Sequence, residues 1–260
     1  MEKKEMTKKH LITCSVMLVL VIVSGLNIYS TEVEKSKKIT NATRVGLPKF
    51  LLKNEDENDD FTFANEALPV NSAFVNRKLQ HSLLMHQYKN IHSNILHDKA
   101  EKIFPIIEPI LKAYGIPDDF KYIPLVEAGF NEGTSSKGAK GLWQFMPGTA
   151  RTYGLKVGNG IDERTNLRKS TYAACKYIKE LYTQFNSWTL AAAAYNNGEI
   201  KLAKAMNDQN EDNYFRMRLN RETGLYVYNL IAMKAIIRQP WKYGYKDYVK
   251  LAPINLMAYN

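Results

Sequence analysis

Cysteine is nearly absent from this sequence, with only two among 260 residues. Cys14 lies in an apolar stretch near the N-terminus and Cys175 lies within a helical pattern, so the two cannot pair inside one exported domain. This placement excludes a disulfide framework. We predict that Cys175 is a small buried hydrophobic residue.

The chain also lacks the motifs of metal and phosphate sites. Its clustered histidines have no i, i+4 pair enclosing a glutamate, and no cysteine lies near them, which argues against zinc. The glycines of residues 154–160 follow no strand and precede no Gly-Lys-Ser, so they form no phosphate loop. We therefore predict no metal and no cofactor. The histidines interpreted as surface residues of the first helices are His81, His86, His92 and His97.

The N-terminus has the features of an export signal or a membrane anchor. Residues Leu11–Leu26 are almost continuously apolar and follow four lysines, as in the basic and hydrophobic regions of a signal segment. The small-residue cleavage site at 23–25 is poor, so we favour an uncleaved anchor in the cytoplasmic membrane over a cleaved signal. A lipoprotein signal at Cys14 is disfavoured, because almost no hydrophobic residues precede that cysteine. This segment is assigned to residues 1–30.

Positive charge dominates the composition. Lysine and arginine number 36 against 26 aspartates and glutamates, a formal net charge of +10. This charge suits nucleic acid, anionic lipid or an anionic cell wall, although it equally fits a plain solvated surface. Export removes most of the case for nucleic acid, so we predict no nucleic-acid partner.

Composition divides the rest of the chain into three parts. Ser30 to Asp60 carries polar and acidic runs without a helical or alternating period, which predicts a flexible linker, assigned to residues 31–70. Residues 71–245 form the expected single domain, and residues 246–260 form a C-terminal tail. The chain is too short for two large domains, and we find no internal repeat.

Apolar spacing predicts that the domain is mainly helical. Two packing helices are expected first, with apolar residues from Phe74 to Tyr88 and from Ile103 to Leu111. A third helix should begin after Pro117, bend at Pro124 and end near residue 127. Further helices are predicted at 171–185 with Ser170 as its cap, and at 188–195, 199–206 and 222–238. Residues 142–146 are expected to be short and extended, as one side of a small ribbon.

The most specific signal lies at residues 127–155, which read EAGFNEGTSSKGAKGLWQFMPGTARTYGL. A glutamate closes a predicted helix and is followed by a small-residue turn and an apolar run ending in Met-Pro. Two further blocks follow in order, A-Y-N-x-G at 194–198 and E-T-x-x-Y-V at 222–227. Together they resemble the signature of the lytic transglycosylases of the lysozyme superfamily, over roughly residues 114–244. The matches to the S-x-x-G-A-x-G-L-x-Q-x-M-P pattern are Ser135, Gly138, Ala139, Gly141, Leu142, Gln144, Met146 and Pro147.

This resemblance implies both a fold and an activity. The implied fold is a lysozyme-like α-helical domain with a small β-ribbon at the active-site cleft. The family cleaves the MurNAc-β-1,4-GlcNAc bond of peptidoglycan glycan strands, leaving 1,6-anhydroMurNAc ends without consuming water. The expected location is therefore the cell envelope, on the periplasmic or extracytoplasmic side. Two positions depart from the family pattern: Ala128 stands where serine is usual, and Gly224 stands where a basic residue is common.

Glu127 is the predicted catalytic residue. A metal-free glycosidic cleavage needs an acid that is still protonated near neutral pH. The partial negative charge of a helix C-terminus disfavours ionisation of this carboxyl, and an aromatic cover would add desolvation in the same direction. The expected cover is Trp143, Phe145 and Tyr195. The resemblance implies that the same glutamate acts first as acid and then as base.

The remaining site residues are assigned by resemblance as substrate-binding. Gln144 is expected at the cleft edge and Met146 along a sugar subsite, while Ser135 shapes the turn. Tyr195 corresponds to a family tyrosine whose hydroxyl lies beside the acid. The full predicted substrate-binding set is Ser135, Gln144, Met146, Tyr195, Asn196 and Glu222. Asp162 and Arg164 are interpreted as a structural pair.

Two alternatives stay open from the sequence. A hydrolytic muramidase on the same fold would need a positioned water and a second carboxylate about 5 Å from the first or farther, and the motif supplies none. A glycan-binding scaffold without catalysis is suggested only by Ala128.

Overall fold

Residues 61–69, 71–129 and 133–245 are described by the computed structural model. The predicted anchor at 1–30, most of the predicted linker and the predicted tail at 246–260 lie outside these residues. Within the described part, no helix combines the length and apolar character needed to cross a bilayer.

The described residues form nine α-helices and two antiparallel ribbons of two-residue strands. The helices are α1 (Ala73–His86), α2 (Tyr88–Ile91), α3 (Ile95–Tyr114), α4 (Ile123–Glu127), α5 (Pro147–Thr152), α6 (Leu167–Phe185), α7 (Trp188–Asn197), α8 (Glu199–Gln209) and α9 (Thr223–Arg238). The strands are β1 (Thr62–Phe63), β2 (Glu66–Ala67), β3 (Val157–Gly158) and β4 (Ile161–Asp162). The predicted mainly α, lysozyme-like fold class is confirmed.

Side-chain caps mark the start of two of the long helices, α1 and α6. The Ser72 hydroxyl accepts a hydrogen bond from the Val75 amide at the start of α1. At the start of α6, the Asn166 side chain accepts from the Lys169 amide at 3.0 Å. The predicted cap Ser170 is wrong, because this residue lies one turn inside α6, where its hydroxyl donates to the Asn166 carbonyl at 2.8 Å. Asn166 has the extended backbone that an N-cap requires.

The core is built around α9. Thirteen of its 16 residues are buried, so this helix needs packing partners on every side. Helix α7 contributes a fully buried stretch, Leu190–Ala194, whose small side chains allow close packing of helices. The indole of Trp143, fully buried, donates to the Thr171 hydroxyl on α6 at 2.9 Å. Cys175 is buried on α6 and unpaired within the described residues, as predicted.

The first ribbon corrects the predicted boundary of the linker. β1 and β2 form a hairpin in which Phe63 is buried. The Glu66 carboxylate accepts hydrogen bonds from the Thr189 amide at 3.0 Å and its hydroxyl at 2.6 Å, at the N-terminus of α7. Residues 61–69 therefore belong to the folded domain and not to the linker at 31–70. The hairpin was missed because two-residue strands are too short to show an alternating pattern.

Local geometry also differs from the expectation around the motif. Residues 142–146 are not an extended strand, since the chain turns there and is closed by a single bridge between Lys140 and Phe145. The ribbon nearest this turn in sequence is instead β3–β4. Pro124 does not bend a longer helix, because it lies in the first turn of the short helix α4, after the 3-10 segment Asp118–Tyr122. Proline is tolerated there because the first helical amides have no intrahelical partner.

Two predicted surface assignments on the first helices are wrong. His97 is fully buried, and its Nε2 lies 3.3 Å from the Ile236 carbonyl. His86 is half-buried and its Nδ1 lies 2.7 Å from the Ser82 carbonyl, whereas His81 and His92 are exposed. A histidine on α1 or α3 is buried when it lies on the face of the helix that packs against α9. The number and spacing of histidines in the sequence do not reveal that face.

Candidate active site

The acidic residue of the motif stands at the end of a short helix. Glu127 is the last residue of α4, and the Ala128 amide donates to the Pro124 carbonyl at 3.1 Å. The Glu127 side chain reaches a cleft, but dense protein surrounds its carboxyl group. This loss of water raises the pKa of Glu127 to about 7. The predicted direction of the pKa shift is confirmed, with burial as its largest cause.

A tyrosine hydroxyl contacts the acid directly. Tyr226 Oη donates to Glu127 Oε1 at 2.6 Å, which favours the ionised form and opposes the effect of burial. The negative charge of Glu222 acts in the other direction and raises the pKa of Glu127. The hydrogen bond from Tyr226 does not outweigh desolvation, so the pKa of Glu127 stays raised, at about 7.

Tyr226 was not assigned a role from the sequence, although it belongs to the E-T-x-x-Y-V block. The spacing of Glu222 and Tyr226 is i, i+4, which brings both side chains to one face of a helix. That signal could have identified the pair. Tyr195, which was expected beside the acid, donates its hydroxyl to the Trp143 carbonyl at 2.8 Å instead. Burial raises the pKa of Tyr195, and the nearby charge of Glu127 raises it further.

The acid opens into a cleft of about 520 Å³, a volume typical of ligand sites. Its lining in the described part of the chain consists of Val126, Glu127, Asn196, Arg221, Glu222, Leu225, Tyr226 and Asn229. A hydrogen-bond network holds the polar wall. Asn196 Nδ2 donates to Glu222 Oε1 at 3.1 Å, and the Thr223 hydroxyl donates to Asn196 Oδ1 at 2.9 Å. Three of the predicted site residues, Glu127, Asn196 and Glu222, are therefore brought together.

The other predicted residues do not line this cleft within the described regions. Ser135 is exposed, and its hydroxyl accepts from the Ala139 amide at 3.0 Å, which shapes the turn. Gln144 Nε2 donates to the Gly141 carbonyl at 2.7 Å, so this amide is used within the same turn. Met146 is 43% exposed next to α5.

Arg164 holds the motif turn in place. Its buried guanidinium donates to the carbonyls of Gly138 at 2.7 Å and Phe145 at 3.0 Å. It also donates to Asp162 at 2.9 and 2.8 Å, which holds the pKa of that carboxyl below its ordinary value. The predicted structural pair of Asp162 and Arg164 is confirmed. Through these hydrogen bonds the pair links the turn at 138–145 to the β3–β4 ribbon.

The fold and the cleft define a lysozyme-like domain, in which a mainly helical scaffold presents one carboxyl group of raised pKa to a groove. Comparison with known proteins finds a family match over part of the chain. Residues 105–217, less than half of its length, match the family model described as "Transglycosylase SLT domain".

Two curated relatives are similar over a longer stretch. Membrane-bound lytic murein transglycosylase D of Escherichia coli strain K12 is 33% identical over 158 residues, which are 57% of this chain and 35% of the relative. The protein of the same name from Escherichia coli O6:H1 strain CFT073 has the same identity and coverage. The chain thus spans about a third of the length of these relatives. Glu222 and Tyr226 lie beyond the residues that the family model matches.

Proposed function

We propose that this protein is a peptidoglycan lytic transglycosylase that cleaves the MurNAc-β-1,4-GlcNAc bond. The observation that carries the proposal is the single buried carboxyl of Glu127, whose pKa is raised to about 7 inside the cleft. An acid with this pKa can donate a proton near neutral pH and accept one afterwards. The match of residues 105–217 to the transglycosylase SLT domain model supports the same reaction.

The proposed reaction uses one residue twice. The Glu127 carboxyl donates its proton to the glycosidic oxygen, and the bond between that oxygen and C1 of MurNAc breaks. The carboxylate then takes the proton of the MurNAc C6 hydroxyl, whose oxygen attacks C1 and closes a 1,6-anhydro ring. Glu127 ends protonated, and no water is consumed. Tyr226 would stabilise the carboxylate between the two steps, because its hydroxyl donates to Oε1 at 2.6 Å.

The substrate-binding roles follow from the same cleft. Asn196 and Glu222 form a hydrogen-bonded pair in the lining of the cleft, and their amide and carboxylate suit sugar hydroxyls. Ser135, Gln144, Met146 and Tyr195 are proposed to extend contacts along the strand, as the family resemblance implies. The proposed location is the cell envelope, with residues 1–30 as an anchor in the cytoplasmic membrane. The excess of basic residues would favour association with an anionic wall.

Product analysis tests the reaction. When purified sacculi are incubated with the protein, we expect released fragments to carry 1,6-anhydroMurNAc ends, with a mass lower by one water than hydrolysis products. Mass spectrometry of the fragments measures this. Fragments ending only in reducing MurNAc would contradict the proposal and would point to Glu222, in the same cleft, as the base for a hydrolytic muramidase.

The pH dependence tests the state of the acid. Only protonated Glu127 can donate, so kcat/KM should fall about tenfold per pH unit above pH 7. In Tyr226→Phe the hydrogen bond to the carboxylate is lost, the pKa of Glu127 rises further, and the falling limb should move to higher pH. Tyr228→Phe is the matched control, because its buried hydroxyl on the same helix has no hydrogen-bond partner among the described residues. A limb that shifts equally in both variants would refute the role of Tyr226.

A further inference from the structure

A second cleft continues the groove that holds Glu127. It has a volume of about 540 Å³, close to the 520 Å³ of the first. Leu225 and Asn229, on α9, line both clefts. The two spaces therefore meet along one face of α9, one turn beyond Tyr226.

The far wall of the second cleft comes from α1 and from the segment of α2. Both helices precede residue 105, where the match to the family model begins. They are nevertheless firmly attached to α9 and to the end of the domain. Lys78 Nζ donates to the Gly224 carbonyl at 2.9 Å, and Tyr245 Oη donates to the His86 carbonyl at 2.7 Å. The α1–α2 wall is therefore an integral part of the folded domain.

The lining combines apolar side chains and amides with two histidines, His81 and His86. Met85, Ile91 and Leu225 supply apolar surface, while Asn90 and Asn229 supply amides. No lysine, arginine, aspartate or glutamate belongs to the lining in the described part of the chain. Apolar patches with a few polar groups are typical of small-molecule and sugar sites.

His86 adds a neutral polar group. Its Nδ1 lies 2.7 Å from the Ser82 carbonyl, and burial lowers the pKa of the imidazole. In the neutral ring Nδ1 donates to that carbonyl, so Nε2 carries a lone pair that can accept a hydrogen bond. A sugar hydroxyl is a suitable donor for this position.

We propose that the second cleft, formed by α1, α2 and α9, is a further saccharide subsite for the glycan strand whose scissile bond lies at Glu127. The inference rests on the proposed function. A neutral sugar fits the lining better than a charged peptide stem does, because the lining offers no permanently charged side chain to pair with a carboxylate or an ammonium group. Continuity through Leu225 and Asn229 allows one strand to occupy both clefts.

Met85 and Leu84 provide a matched test. Both side chains are 54% exposed on α1, but only Met85 lines the second cleft. Met85→Glu introduces a carboxylate into the subsite, whereas Leu84→Glu adds the same charge beside it. The full 260-residue chain would be assayed on glycan strands of long and short length, each with and without peptide stems, with kcat/KM and binding affinity measured for each.

We expect Met85→Glu to lower the long-to-short ratio of kcat/KM about tenfold, and the affinity for long strands by a similar factor. Leu84→Glu should keep both within twofold of the original chain. If both variants show the same long-to-short ratio of kcat/KM, the subsite proposal is refuted. The proposed cleavage reaction would be unaffected by that result. A loss seen only on strands that carry peptide stems would also overturn it, in favour of a peptide contact. If no bond is cleaved at all, the proposed function fails, and the affinities alone then decide whether the second cleft binds sugar.

Discussion

Glu127→Gln is expected to lower the rate of sacculus cleavage by about 10²- to 10⁴-fold, the range typical for loss of a general acid-base residue. Glutamine keeps the size of the side chain and can still accept a hydrogen bond from Tyr226, which contacts Oε1 at 2.6 Å. It cannot transfer a proton, so both proposed steps lose their proton carrier. Release of soluble fragments from sacculi measures the rate, and co-sedimentation with sacculi measures binding, which should persist.

Glu101→Gln is a suitable control for this variant. Glu101 is exposed on α3 and undergoes the same loss of one negative charge, so a general effect of net charge on wall binding would appear in both proteins. We expect the control to cleave at the original rate. Cleavage by Glu127→Gln within tenfold of the original rate would mean that another group supplies the proton.

Gly141→Ala is expected to destabilise the fold by at least about 3 kcal/mol, since αL strain alone costs about 1–3 kcal/mol and a backbone clash adds to it. Gly141 has φ of +77°, and an added Cβ would lie 2.0 Å from the Arg164 carbonyl oxygen. That carbonyl belongs to the residue whose guanidinium holds the turn through Gly138 and Phe145. The turn cannot move away without breaking these bonds. Urea unfolding of the original chain and the variant measures the difference.

Gly138→Ala separates the clash from the conformational strain. Gly138 also has a positive φ, +86°, but an added Cβ there meets nothing within 4 Å among the described residues. Its cost should stay near the 1–2 kcal/mol of a single left-handed residue. Equal losses in the two variants would show that the close approach of residues 141 and 164 does not matter for stability.

Much of the helical scaffold could be predicted from apolar spacing. The helices at 73–86, 167–185, 188–197 and 223–238 coincide with predicted periodic segments within a few residues, whereas the helix at 95–114 begins well before its predicted segment at 103–111. The errors of the prediction concern short secondary-structure elements and the ends of helices. The β1–β2 hairpin at 62–67 was assigned to a linker because strands of two residues each are too short to show an alternating pattern. Its order comes from tertiary contacts, such as Glu66 capping α7 and Asp119 accepting the Ala64 amide at 2.7 Å.

The motifs located the acid, while the surroundings of the acid were only partly predictable. Desolvation was expected from an aromatic cover, and burial does raise the pKa of Glu127 to about 7. Two tyrosines, Tyr195 and Tyr226, were available in the matched blocks, and the resemblance favoured the first. In the folded domain Tyr195 donates to the Trp143 carbonyl, and Tyr226 donates to the acid.

The sequence by itself determined the family signature, the position of the candidate acid and the helical period of the domain, because these depend on residue identity and local spacing. Only the tertiary structure decided which hydroxyl meets Glu127, since Tyr226 lies 99 residues away and reaches it through the packing of α9 against α4. The tertiary structure also places α1 and α2, which precede the residues matched by the family model, along the second cleft. Such contacts depend on the relative positions of helices distant in the chain, and no local pattern of residues records those positions.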